Sequence, residues 1–237
     1  MCGRKYDGDA AAIERAWHIG RHNNNPFRNL FDARPGQELP VLTMNSEAGI
    51  ELDAFRWGLV PSWWKKPIKE VGSTFNATAE KIKAKNGMWW GPFLRRRCLV
   101  PVYGYYEWQY QADGRSVRHY IKLRGDELFA LAGLWDAWQQ PDGSTLNSYA
   151  VVTCPANPLL AKIHNKPKKS EGPRMPVILT GETARAWFDP SAGLSQEDLL
   201  NLLAPYSQEA MIAYPVVNTA SNPADLIVPI GESVALP

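Results

Sequence analysis

The sequence predicts an α+β fold: a single domain with a largely antiparallel, barrel-like β core flanked by short helices. Three observations carry that expectation. Strand-like apolar runs follow one another along most of the chain, joined by turn signals such as Asp113-Gly114 and Asp142-Gly143. Helical patterns come grouped at intervals instead of alternating with every strand, which argues against a parallel doubly wound sheet. No repeat, low-complexity segment or linker divides the chain. Residues 1–237 are therefore expected to form one domain, with the chemistry-bearing motifs between residues 2 and 179 and residues 180–237 part of the same unit. At 237 residues the chain is long enough to bury a sizeable core.

Taken in order, Asp9 to Ile19 reads as a helix with Ala12, Ile13, Ala16 and Trp17 on one face. Arg21 to Gly36 is rich in Asn and Pro and reads as a loop. Strands are expected at Leu39–Thr43 and Phe55–Val60, followed by a turn at Pro61-Ser62-Trp63-Trp64 that presents two aromatics. Ala77–Lys85 is a polar helix pattern with Asn76 at its start, in an N-cap position. Cys98–Tyr106, Arg118–Lys122, Leu128–Trp135 and Tyr149–Cys154 read as strands. Asn157-Pro158 opens a short helix ending near Ile163-His164, with Pro at its first position. Lys166–Pro173 is a loop and Met175–Leu179 a short strand. Thr180 and Ser195 each cap a further helix, and the tail from Ile212 alternates strand and turn.

Composition narrows the function classes. Hydrophobic residues are 45% and charged residues 21%, as in a globular protein, and no apolar run approaches the ~20 residues of a membrane span. The start of the chain has no apolar signal-peptide region, so a cytoplasmic location without membrane association is expected. Three cysteines without CxxC spacing exclude a disulfide framework and a structural zinc site; no metal or cofactor is expected. Cys98 and Cys154 lie in strand-like runs and read as small core hydrophobes. The net charge is only +2, so distribution matters more than the total. Cations cluster at Lys65-Lys66, Lys81/Lys83/Lys85, Arg95-Arg96-Arg97 and Lys162/Lys166/Lys168/Lys169/Arg174. Several of the ten tryptophans stand beside them, notably Trp63-Trp64 and Trp89-Trp90. Aromatics interleaved with cations suit stacking on unpaired bases while the cations hold phosphates.

Cys2 carries the most chemistry. Once Met1 is removed, this residue offers a free α-amine and a thiol two carbons apart. With reference pKa values of ~7.7–8.0 and ~8.5, both groups reach reactive forms near neutrality. Such a pair condenses with an aldehyde through nitrogen and then closes through sulfur, giving a five-membered thiazolidine. Three further residues suit proton traffic. Glu107 ends an aromatic strand, Tyr103-Gly104-Tyr105-Tyr106-Glu107-Trp108, where desolvation raises a carboxyl pKa. His164 lies at a helix C-terminus, where the dipole favours imidazolium. Asn76 follows Ser73-Thr74-Phe75.

These motifs occur in a family order: Met1-Cys2-Gly3-Arg4, Trp57 through Trp64, Asn76-Ala77-Thr78-Ala79-Glu80, Gly104 through Trp108, Ile163-His164 and Arg174 through Leu179. In these the chain resembles the SRAP family, the SOS response-associated peptidases now understood as abasic-site processing proteins. The resemblance implies binding to abasic sites in single-stranded DNA, near single-strand/double-strand junctions, and covalent capture through the N-terminal cysteine. It implies a catalytic set of Cys2 as nucleophile, Asn76 orienting the amine or sugar hydroxyls, Glu107 relaying protons and His164 protonating the sugar ring oxygen. Arg4, Lys166 and Arg174 would hold phosphates, and Trp63 and Trp64 would wedge against bases flanking the lesion. A monomer working at DNA is implied, with lyase and peptidase activities also assigned to the family. Two positions depart from its pattern: Thr78 stands where an arginine is usual, and residues 165–173 separate His164 from Arg174. Two other classes remain open on the residues: a peptidase with Cys2 as N-terminal nucleophile, and a non-covalent reader of damaged or modified DNA.

Overall fold

The computed structural model describes residues 3–19, 27–45, 47, 49–125, 127–166 and 172–236. The chain opens with strand β1 (Lys5–Asp7) and helix α1 (Ala10–Trp17), whose first turn is capped by Asp9 accepting from the Ala12 amide at 2.8 Å. Next come β2 (Leu30–Ala33), the hairpin β3 (Glu38–Asn45) and β4 (Gly49–Trp57), the three-residue β5 (Asn76–Thr78), and helices α2 (Ala79–Lys83) and α3 (Trp90–Arg95). Strands β6 (Arg97–Val102), β7 (Gly104–Tyr110), β8 (Ser116–Leu123), β9 (Phe129–Gln139) and β10 (Thr145–Pro155) form the middle of the chain. After them come α4 (Pro158–Ile163), β11 (Arg174–Pro176), β12 (Ile178–Leu179), α5 (Gly181–Phe188), α6 (Gln196–Asn201) and β13 (Met211–Pro215).

Five strands close a mixed barrel in the order β10-β4-β3-β6-β9 and back to β10; β4 and β10 run parallel and the other ring pairings are antiparallel. Closure removes the edges that would otherwise template association. A second, wholly antiparallel sheet has the order β13-β8-β7-β1-β2. Its inner face contributes Tyr105, Ile121, Met211 and Ala213 to the main core. Its outer face carries Tyr106, Tyr120, Tyr214 and Val216, a separate small cluster. Gly104 makes this stacking feasible: a Cβ there would lie 2.4 Å from the Tyr120 ring.

Several expectations need correction. The apolar run from Cys98 to Tyr106 is two strands, because the chain leaves the barrel at Tyr103 and enters the second sheet at Gly104; an apolar run buried on both sides does not record a change of sheet. Met175–Leu179 likewise divides at Val177. Its amide donates to Val152 and its carbonyl accepts from Ala132, so β11 pairs with β10 while β12 pairs with β9. Leu30–Ala33, read as loop, is a strand, and Trp90–Arg95 is an additional helix. Asn76 caps nothing. It begins a strand parallel to β10, and Thr78 takes the cap position by accepting from Lys81 at 3.4 Å. The helices at Asn157 and Ser195 start as expected: Asn157 accepts from Leu160, and Ser195 and Asp198 exchange reciprocal bonds. No helix among the described residues is long and apolar enough to cross a membrane.

Candidate functional site at the N-terminal strand

Period-two alternation sorts the residues of β7. Tyr105 and Glu107 face inward; Tyr106 faces outward, its hydroxyl donating to the Phe31 carbonyl at 2.6 Å. The adjacent β1 runs antiparallel, with Lys5 opposite Tyr105 and the Arg4 carbonyl accepting from the Tyr106 amide at 3.0 Å. The start of the chain therefore enters the sheet at the Glu107 end of β7. Cys2 itself lies outside the described residues. Glu107 is only 4% exposed. Directly opposite it on β8 stands His119, which is 3% exposed and on the same inward face as Ile121. Its Nδ1 lies 3.1 Å from the Val117 carbonyl, so Nδ1 carries the hydrogen and Nε2 the lone pair. Burial lowers the His119 pKa, against the opposing effect of that carbonyl, and keeps the ring neutral.

Helix α4 is clamped to the same end of β7. Asn165 donates to the Tyr110 carbonyl at 2.9 Å and accepts from its amide at 2.8 Å, imitating a strand partner, and Gln109 donates to the Lys162 carbonyl. This seats His164, the last residue of the turn, beside the strand that carries Glu107. The His164 Nδ1 lies 2.9 Å from the Arg174 amide nitrogen and 3.1 Å from its carbonyl oxygen. The amide can only donate, so Nδ1 is the acceptor and the ring hydrogen sits on Nε2. This backbone donor fixes the hydrogen-bonding roles of the ring more directly than the dipole of α4, which has only six residues.

Arg174 ties this histidine to Asn76. Expected as a phosphate ligand, it is buried instead, with Nη1 and Nη2 on the two carboxylate oxygens of Glu80 at 3.1 and 2.8 Å. Nε reaches the Thr153 hydroxyl, and Nη2 the Thr153 carbonyl. Burial works to raise the Glu80 carboxyl, but the Arg174 hydrogen bond prevails and holds it below the ordinary range. Thr153 pairs with Thr78, and Val151 with Asn76, across the β5–β10 ladder. One buried guanidinium therefore joins β10, β11, α2 and His164.

The tryptophan turn is rigid where it leaves the barrel. The Ser62 amide donates to Asp136, which Arg96 also pairs; the Trp64 amide closes a turn onto Pro61, and Trp138 donates to the Trp64 carbonyl at 2.7 Å. Trp63 is held 60% exposed, its ring 6.1 Å from that of half-buried Trp64. Exposed Lys65, Lys66 and Lys69 follow. Lys166 is exposed with Nζ 4.9 Å over the Tyr110 ring, while Lys168 and Lys169 lie outside the described residues. Arg4 is paired with Asp32 at 2.6 Å. Cys98 and Cys154 are fully buried as expected; burial pushes the first thiol well up and the second to about 12, so neither competes as a nucleophile. Among the described residues no cluster of His, Cys, Asp or Glu has the grouping of a metal site.

Sequence reasoning missed His119, Asn165, Asp32 and the buried Lys5–Asp7 ion pair. The first had a faint signal, a polar residue in the alternation of Val117 and Ile121; the others depend on partners distant in sequence.

The fold class is a closed barrel carrying a second, antiparallel sheet, with β1 paired to the strand that bears buried Glu107. The family model described as SOS response associated peptidase (SRAP) matches residues 1–223, and the chain belongs to that family. It is 32% identical to the abasic site processing protein YoqW of Bacillus subtilis (strain 168) over 198 residues, covering 83% of each chain. It is 32% identical to the abasic site processing protein HMCES of Xenopus tropicalis, covering 93% of this chain and 67% of that one. A solved protein structure from Bacteroides thetaiotaomicron superposes with a TM-score of 0.82 at 25% identity, covering 96% and 99% of the two chains.

Proposed function

We propose that this chain is an abasic-site processing protein, acting in the response to DNA damage by capturing the lesion in single-stranded DNA as a thiazolidine on Cys2. The observation that carries the reading is the β1–β7 register, which leads the chain start to Glu107, with His164 clamped beside the same strand. The names of the related proteins supply the substrate class.

The chemistry begins with ring opening of the abasic deoxyribose. The C1′–O4′ bond breaks, O4′ gains a proton and the C1′ hydroxyl loses one, leaving an aldehyde. His164 polarises O4′ through an Nε2–H hydrogen bond, because Nδ1 is engaged by the Arg174 amide, while the Glu107 carboxyl takes the C1′ hydroxyl proton and returns one to O4′. The Cys2 amine, freed by loss of Met1, adds to C1′. The resulting hydroxyl leaves as water with a proton delivered by Glu107, giving an imine. Sulfur then adds to the imine carbon, its proton passing to nitrogen through the same carboxyl. Glu107 suits both directions because its carboxyl, almost fully shielded from bulk water, exchanges protons with the bound sugar and amine. Asn76, at the mouth of β5, orients the amine or a sugar hydroxyl. Trp63 and Trp64 stack against flanking bases, which favours single strands and their junctions with duplex. Arg174 acts on DNA only through His164.

The test is direct. Protein lacking Met1 is incubated with a single-stranded oligonucleotide bearing one abasic site, and the products are analysed by denaturing electrophoresis and intact mass. A heat-stable adduct at the summed mass less one water is expected, absent for Cys2→Ala. Cys2→Ser, which keeps the amine, should yield only an imine trapped by borohydride. An unmodified wild-type protein after full exposure would sink the reading.

A further inference from the structure

Three arginines converge on one carboxylate at the edge of the second sheet. Arg4 Nη1 and Arg34 Nη2 both reach Asp32 Oδ2, at 2.6 and 2.7 Å, and Arg118 Nη2 reaches Oδ1 at 2.7 Å. Arg34 adds a second contact through Nε at 3.2 Å. Sharing one oxygen holds the Arg4 and Arg34 guanidinium groups side by side. Arg118 forms the floor: it is fully buried, stacked 3.7 Å from the Tyr106 ring centroid, and donates to the Asn218 carbonyl. The three guanidinium groups differ sharply in access, with side-chain exposures of 1% for Arg118, 29% for Arg4 and 57% for Arg34. Asp32 offers two oxygens to three guanidinium groups, and Arg34, the most exposed of them, is held in a fixed place with much of its surface open to solvent. Burial works to raise the Asp32 carboxyl, but the hydrogen bonds from Arg34 and Arg4 and the charge of Arg118 hold it below the ordinary range. It therefore stays ionised, and the arrangement stays intact, throughout the neutral range.

We propose that Arg34 and Arg4, held by Asp32 on the Arg118 floor, form a clamp for one backbone phosphate of the DNA strand whose lesion is captured at Cys2. The proposal rests on the function proposed above. It adds Arg34 as a phosphate ligand and Asp32 as a positioning residue that fixes two guanidinium groups in advance of binding. Two guanidinium groups fixed on one carboxylate match the oxygens of a phosphodiester far better than one mobile cation does. Arg4 immediately precedes β1 and is two residues from Cys2, so the clamp grips DNA next to the reacting sugar. Asp32 lowers the net charge of the surface yet raises the order of its cations, and that gives the test an unusual sign.

The experiment measures non-covalent binding of an undamaged, labelled single-stranded oligonucleotide by anisotropy across a salt series, for wild type, Arg34→Ala and Asp32→Asn. Loss of one phosphate contact should reduce the slope of log K against log salt by roughly 0.7 for Arg34→Ala. Asp32→Asn adds a positive charge and should nevertheless bind more weakly, because Arg4 and Arg34 lose their common anchor. An unchanged slope for Arg34→Ala overturns the clamp; equal or tighter binding by Asp32→Asn overturns the positioning role. Arg34 is exposed, so its variant should fold and decide the matter even if Asp32→Asn is too unstable to assay. The probe carries no lesion, so failure of the adduct chemistry and failure of the clamp are separately visible.

Discussion

Strand β1 and the residue before it place charge in opposite surroundings within four residues, Arg4 to Asp7. Inward, Lys5 and Asp7 pair with each other in the core, with the Lys5 ammonium 5.5 Å from the Trp57 ring centroid and Asp7 Oδ2 without a hydrogen bond among the described residues. Outward, Arg4 joins Asp32, Arg34 and Arg118 at the solvent boundary. The inner carboxyl is raised because desolvation exceeds the pull of one lysine; the outer one is lowered because three arginines exceed a partial desolvation. The same strand thus carries a pair that only the fold can sustain and a cluster open to an incoming anion. The difference separates what holds the fold together from the surface that the proposed function turns toward DNA.

The largest effect is expected on the inner side. Lys5→Met leaves Asp7 as an isolated buried carboxylate, and denaturant unfolding should show a loss of about 3–5 kcal/mol. Replacing both partners, Lys5→Met with Asp7→Leu, should recover most of it, since two apolar groups of similar volume need no partner. If the single variant loses less than about 1 kcal/mol, the inner face is wetter than its burial implies and the contrast with the outer face collapses.

Arg174 tests whether the buried side also governs chemistry. Arg174→Met removes four side-chain hydrogen bonds to Glu80 and Thr153 while leaving its own amide to His164. A destabilisation of about 2–4 kcal/mol is expected, with slower adduct formation but an unchanged salt slope. Glu80→Gln, at a half-exposed partner, should cost under about 1 kcal/mol. A reduced salt slope for Arg174→Met would show that this guanidinium meets phosphate after all, erasing the division.

That division also explains what could be read in advance. The hairpin strands β9 and β10 and the helices begun by Asp9, Asn157 and Ser195 were legible because their signals are local: turns, caps and apolar runs. Strands β1 and β2 were not, because their three or four residues acquire meaning only by pairing with each other and with β7, and inward charges at Lys5 and Asp7 disguise the alternation. Glu107 stood out as a carboxylate in an aromatic run. His119 did not, since being opposite Glu107 is a property of register. Asp32 and Arg34 fell in a segment whose Asn and Pro content suggested loop, and Arg174 looked like a free cation because Glu80 is ninety-four residues away in the chain.

On the DNA side the rigid turn offers a cleaner probe than any charge. Trp63→Ala removes an exposed ring that lies beside Trp64, so unfolding should shift by no more than about 0.5 kcal/mol. Affinity for single-stranded DNA should nevertheless fall by about 1–3 kcal/mol, the worth of one base–aromatic stack. Equal affinity for the variant would remove Trp63 from the interface and leave the outward side of the site to its cations.

The smallest effect is the most specific to the comparison, because its sign differs between the faces. Asp32 has a lowered pKa in the fold, so its contribution to stability is present above the ordinary value of 3.8 and lost as pH falls through the lower folded value. Asp7 has a raised pKa, so its contribution is present below 3.8 and lost as pH rises through the folded value. Unfolding free energies of wild type, Asp32→Asn and Asp7→Asn measured from neutral pH down to about pH 3 should therefore diverge. The gap between wild type and Asp32→Asn narrows on acidification, whereas wild type gains on Asp7→Asn. Two gaps moving in the same direction would mean that both carboxyls share one electrostatic environment, and that β1 does not part the core from the DNA-facing surface.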